Sequence, residues 1–91
     1  MTPAERIMMR HFLEERGRLY AVIAEKAGVS YALVRTFGRK LQNARLAHIS
    51  VIPFDGCRLF LNARGVRVKR AVEILDRIER NRAQGPSLSQ R

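Results

Sequence analysis

The 91-residue sequence predicts a mainly α fold with one small β-hairpin: three helices, a two-stranded ribbon and a C-terminal helix. Three observations predict it. Apolar residues recur at three- and four-residue spacing through the first half, behind the capping residues Thr2 and Ser30. From His48 the period drops to two, and Asp55-Gly56 interrupts the alternation as a two-residue turn signal. After Asn62 the helical spacing returns. With 46% hydrophobic and 29% charged residues the composition is that of a folded chain, and the length suits one domain over 1–82 followed by a tail over 83–91.

The elements follow in order. Thr2-Pro3-Ala4-Glu5 starts helix one, with Thr2 as N-cap, Pro3 at the first helical position and Glu5 completing a capping box. Ile7, Met8, Phe12 and Leu13 keep the spacing, and Gly17 is placed to end the helix in a left-handed conformation. Residues 18–27 read as a short second helix with Leu19, Val22, Ile23 and Ala27 apolar, stopped by Gly28. Ser30 caps a third helix in which Leu33, Val34, Phe37, Leu41 and Ala44 form one face. Ala32, Arg35, Thr36, Arg39, Lys40 and Asn43 form the other. Gly38, inside this helix at a cost of about 1 kcal/mol relative to alanine, marks close packing, a bend or a functional contact.

Residues 49–54 and 57–61 form the ribbon. A turn at Asp55-Gly56 pairs Phe54 with Cys57, Ile52 with Leu59 and Ser50 with Leu61, turning those six toward the helices. Pro53, lacking a donor, fits an edge near the tip. Asn62 caps the last helix, whose stripe Val68, Val72, Leu75 and Ile78 reads as core. That helix ends near Arg82, and 83–91, which lack an apolar period, read as a flexible tail.

Helix, short helix, four-residue turn, polar-faced helix and hairpin is the order of a winged helix-turn-helix. Ile23 and Ala24 let the first helix of the motif cross closely, Gly28 makes the turn, Val29 plugs the core, and Val34 and Phe37 hold the second helix down. Beyond this motif the chain resembles winged-helix regulators of the MarR type. Arg45-Leu46-Ala47 stands where that family's recognition helix ends, Asp55-Gly56-Cys57-Arg58 at its wing tip, and Leu61-Asn62-Ala63-Arg64-Gly65 at its Leu-Thr-x-x-Gly helix start, with Asn62 replacing the usual threonine.

The resemblance implies a sequence-specific regulator of transcription that binds double-stranded DNA. Its third helix enters the major groove, where Ser30, Tyr31, Ala32, Arg35, Thr36 and Arg39 reach bases or flanking phosphates. Arg35 and Arg39 suit bidentate guanine contacts, and Thr36 or Ala32 a thymine methyl. Ser30, Tyr31, Lys40 and Asn43 suit phosphates, and Arg58, near the wing tip, an adjacent minor groove. Each has a plainer reading: an exposed arginine is solvated, Tyr31 packs on helix two, and Cys57 is a small buried hydrophobe. A homodimer through the first and last helices would read a pseudo-palindrome.

The charge agrees. Eighteen Lys+Arg against eight Asp+Glu give +10, and fifteen of the bases are arginine, whose planar fork reads phosphates and guanine edges. Arg35, Arg39, Lys40, Arg45, Arg58, Arg64, Arg67, Lys69 and Arg70 crowd between Val29 and Arg70, opposed only by Asp55. The lone Cys57 gives no disulfide, and His11, His48 and Cys57 lack zinc-ligand spacing, so neither metal nor cofactor is expected. Paired carboxylates, an oriented nucleophile and a phosphate-cradling glycine loop are all missing, which argues against an enzyme. A cytoplasmic, nucleoid-associated location fits, without a membrane span. The alternative is a winged-helix module that binds RNA or a protein within a larger assembly.

Overall fold

A capping box opens the computed structural model as the sequence reading places it. Thr2 Oγ1 accepts from Glu5 N at 3.2 Å and Thr2 N donates to Glu5 Oε1 at 2.9 Å, starting α1 (Pro3–Phe12). The structure describes residues 1–89, except for the side chains of Phe12 and of 83–89. The elements that follow are β1 (Arg18–Leu19), α2 (Tyr20–Ala27), α3 (Tyr31–Asn43), β2 (Ala47–Ile52), β3 (Gly56–Leu61) and α4 (Ala63–Ser89). The strands form an antiparallel sheet in the order β1-β3-β2. This is the winged-helix architecture, with the core closed by Met8, Met9, Leu13, Tyr20, Ile23, Val34, Phe37, Leu41, Leu59 and Leu61.

Three features before α4 differ from the sequence reading. α1 ends at Phe12 rather than Gly17; Leu13 is extended and buried, its carbonyl capped by Lys69 Nζ at 2.7 Å. Gly17 does take a left-handed φ of 80°, but in the turn leading to β1, where Phe60 packs against its Cα and leaves no room for a Cβ. Residues 18 and 19, read as helix, instead pair with Leu59 and Arg58. A two-residue strand has no period of its own, so only the neighbouring β3 reveals it.

The hairpin register is the third. Ala47 pairs with Leu61, Ile49 with Leu59, Val51 with Cys57 and Ile52 with Gly56, a shift of three residues from the pairing that Asp55-Gly56 suggests. An odd shift turns the whole of β2 over. Ile49 packs on the core, while Ser50 is exposed and Phe54 wholly so. Pro53 is the physical reason. It presets φ for the second position of a turn closed by Asp55 N donating to Ile52 O at 3.1 Å, with Phe54 at φ 71° in third place, the pattern of a type II turn.

α4 starts as expected: Asn62 Oδ1 accepts from Gly65 N at 2.9 Å. Its backbone runs past Arg82, through Gly85 and Pro86, to Ser89; the rest of the tail lies outside the described residues. The stripe read as core divides along the helix. Val72 is buried and Val66 and Val68 pack on the core, but Ile74, Leu75 and Ile78 are exposed because α4 has run beyond the body that would cover them. Arg6 and Arg10 of α1 hold this helix through Asp76, Arg10 Nη1 at 2.8 Å, and Arg6 also pairs with Glu79.

Glu5 is buried and pairs with Lys40 Nζ at 3.0 Å, joining α1 to α3. Donation from the Thr2 backbone, helped by the Lys40 ammonium and opposed by burial, holds its carboxyl below the usual value. A lowered folded-state value means stability present above the unfolded carboxyl range and lost as pH falls through the folded value. Glu5→Gln is therefore expected to cost about 1–2 kcal/mol at neutral pH, the difference from the parent shrinking below about pH 4 in denaturant titrations.

Candidate nucleic-acid interface

The helix-turn-helix is assembled by α2 and α3. Gly28 caps α2 at φ 68°, its N–H donating to Ala24 O, and Ser30 Oγ accepts from Leu33 N at 3.1 Å to start α3. Ile23, Val34, Phe37, Gly38 and Leu41 form the inward side. Gly38 is a close-packing glycine: a Cβ there would come within 2.6 Å of Tyr20 Oη. α3 ends in a left-handed residue, Arg45 at φ 60°, with Leu46 N donating to Leu41 O at 2.9 Å and Arg45 N to Gln42 O at 3.0 Å, a Schellman closure. Left-handed arginine costs about 1 kcal/mol, and Asn62 Nδ2, 2.8 Å from Arg45 O, helps hold it. Asn62 thus ties the end of α3 to the start of α4, a role for which the sequence gives no spacing signal.

α3 brings together eight of the nine residues expected to meet nucleic acid: Ser30, Tyr31, Ala32, Arg35, Thr36, Arg39, Lys40 and Asn43, all exposed. At 3.6 residues per turn they divide into three rows. Ala32, Thr36, Arg39 and Asn43 stand opposite the buried side. Tyr31 and Arg35, with Gln42, flank them toward the hairpin, and Lys40 flanks them toward α1, where it meets Glu5. Tyr31 packs edge-to-face on Tyr20 of α2, ring centroids 5.7 Å apart, as its plainer reading has it, and stays 41% exposed.

Arg58 stands apart from this face. In the shifted register it leaves the wing tip, and its Nη1 donates to Gly17 O at 2.8 Å and Arg16 O at 3.4 Å, bracing β1. The tip is Pro53-Phe54-Asp55, which carries no basic residue. With Lys69 on the Leu13 carbonyl, three of the nine central bases serve the fold. Arg35, Arg39, Arg45, Arg64, Arg67 and Arg70 remain exposed, distributed over α3, the turn after it and the first turns of α4.

A cavity of about 310 Å³ lies between α3 and the hairpin, lined by Tyr20, Arg35, Arg39, Gln42, Ile49 and Cys57. Tyr20 and Gln42 are additions to the sequence-derived set. Gln42 falls seven residues after Arg35, a spacing visible in the sequence, whereas Tyr20 belongs by burial to the core. Burial pushes the Tyr20 hydroxyl up to about 12, so it stays a donor at neutral pH. Cys57 is half-buried against the core. Among the described residues no three His, Cys, Asp or Glu side chains cluster to hold a metal ion, and no helix is long and apolar enough to cross a membrane.

Comparison with known proteins places this geometry. No family model and no curated protein matches the sequence. Among solved structures, the PcaV transcriptional regulator of Streptomyces coelicolor, in complex with its natural ligand, matches 94% of the chain and 62% of its own, at 19% identity and TM-score 0.79. ZitR of Lactococcus lactis matches 99% of the chain and 61% of its own, at 27% identity and TM-score 0.66. MepR of S. aureus, in complex with DNA, matches 99% of the chain and 77% of its own, at 18% identity and TM-score 0.66. These are MarR-family transcriptional regulators, and the chain shares their winged-helix fold. It spans about three fifths of the length of the first two.

Proposed function

We propose that the chain binds double-stranded DNA as a sequence-specific regulator of transcription, laying the Ala32, Thr36, Arg39 and Asn43 row of α3 in the major groove. The observation that carries this reading is that row itself: a helix held down on one side by Val34, Phe37 and Leu41 presents small, hydroxyl, amide and guanidinium groups on the other. Those are the groups that read base edges. The likeness to a regulator crystallised on DNA supports it. Arg35 on one flank, and Arg45 and the arginines opening α4, supply phosphate contacts that orient the protein. Ser30 and Tyr31, at the start of α3, join them there.

The dimer belongs to the same reading. Ile7 on α1 and Ile74, Leu75 and Ile78 on α4 are exposed, and a shallow groove of about 580 Å³ runs between these helices, bordered by Ile7, Asp76 and Glu79. Covering that apolar surface with a second copy sets two recognition helices side by side. Selection of bound duplexes from a random library tests both parts. The expected outcome is a pseudo-palindrome whose half-sites lie about one helical turn, or a multiple of it, apart. A single unrepeated site would remove the dimer. Preference over bulk competitor of less than about tenfold at physiological salt would remove the regulator.

A further inference from the structure

We infer that the cavity between α3 and the hairpin is a seat for a phosphate-type oxyanion, with Arg35, Gln42 and the Tyr20 hydroxyl as its donors. The inference rests on the DNA-binding reading for its main source, a backbone phosphate of the duplex; a free phosphate is the other source of the same chemistry.

Tyr20 carries it. The residue is 1% exposed, and its hydroxyl, which makes no hydrogen bond to the described residues, is not sealed in the core but opens onto the cavity. Phenylalanine would supply the same core packing and the same edge contact with Tyr31, but no donor at the cavity wall. The oxygen lies beneath Gly38, where a side chain would displace it. It feels the charges of both Arg39 and Arg35.

The rest of the lining agrees. Two guanidiniums and an amide share the cavity with Ile49 and Cys57, and no carboxylate is among them. A phosphodiester offers two free oxygens, one for the arginine fork and one for a neutral donor. The seat lies on the hairpin flank of the outward row, between the helix that enters the major groove and the wing, where a DNA strand's backbone passes. Arg39, on the outer rim, remains free to reach a base.

Two measurements on the full chain test this. Duplex affinity is followed against salt for the parent, Tyr20→Phe and Arg35→Gln, and inorganic phosphate is titrated while the ring resonances of Tyr20 are observed. Tyr20→Phe is expected to weaken duplex binding about tenfold with an unchanged salt slope, since a donor to an anion is lost but no charge. Arg35→Gln should weaken binding and reduce the slope by about one. Phosphate should move the Tyr20 ring signals in the parent and leave them unmoved in Arg35→Gln. Phosphate-dependent shifts in a protein that binds no duplex would uphold the seat with free phosphate as its occupant, while removing the DNA-binding reading. If Tyr20→Phe melts like the parent and binds duplex as tightly, and phosphate leaves the Tyr20 signals of the parent in place, the proposal is overturned.

Discussion

Gly65→Ala is expected to destabilise the fold by about 3 kcal/mol, the upper part of the range for forcing atoms into a closed contact. Gly65 sits in the first turn of α4, facing the Leu46 carbonyl. A Cβ built there would lie well inside van der Waals contact distance of Leu46 O and against Leu61. Neither neighbour yields cheaply. Leu46 O already accepts from Asn62 N at 3.0 Å, and Leu61 is buried in the core. Alanine gains up to about 1 kcal/mol in helix propensity, which softens the loss without reversing it.

Gly28→Ala provides the comparison. Its φ of 68° is left-handed, but nothing lies within 4 Å of the new methyl, so only the conformational cost of about 1 kcal/mol remains. Denaturant midpoints at constant slope measure both. Equal losses would mean that α4 can back away from Leu46. The difference matters for the site: the same contact fixes the turn at Arg45 and, through Asn62, the direction in which α3 leaves the body.

Arg39→Ala is expected to lower affinity for the selected duplex by about 1–3 kcal/mol, roughly fivefold to 150-fold, and to abolish preference at one base position. Arg39 occupies the outward row, exposed, with its neighbours Thr36 and Asn43 on the same line. Uniform weakening at every position would instead assign it to the backbone. Arg58→Ala and Lys40→Ala provide the contrast. Their cations are bound to Gly17 O and to Glu5, so these changes should lower the melting temperature and leave base preference intact. Library selection with each variant reads preference and affinity together, and thermal melts read stability.

α3 is legible from its N-cap through Leu41 because two short-range rules fix it: a hydroxyl at Ser30 that satisfies an orphan N–H, and apolar residues that must share one side of a helix; Ala44, read with that face, is instead the exposed C-cap before the left-handed Arg45. Those rules also fixed its outward residues. Arg58 was misplaced because a hairpin's register depends on its turn, and two turn signals overlap in Pro53-Phe54-Asp55-Gly56. The glycine favours one pairing, the proline another, and a three-residue difference moved Arg58 from the tip to a brace on β1. Tyr20 was missed for a different reason. Sequence shows a tyrosine opening the helix-turn-helix; that it is buried and that its hydroxyl borders a cavity with two arginines depends on chain brought in from β2 and β3.

The sequence by itself determined the kind of fold, the order of its parts and the strip of α3 left facing outward, since capping and periodicity act over a few residues and need no distant partner. Only the tertiary structure decided which cations remain available, which way the ribbon faces and that the far half of the α4 stripe is uncovered. Each of those depends on contacts between segments tens of residues apart, whose meeting is set by the packing of the whole core.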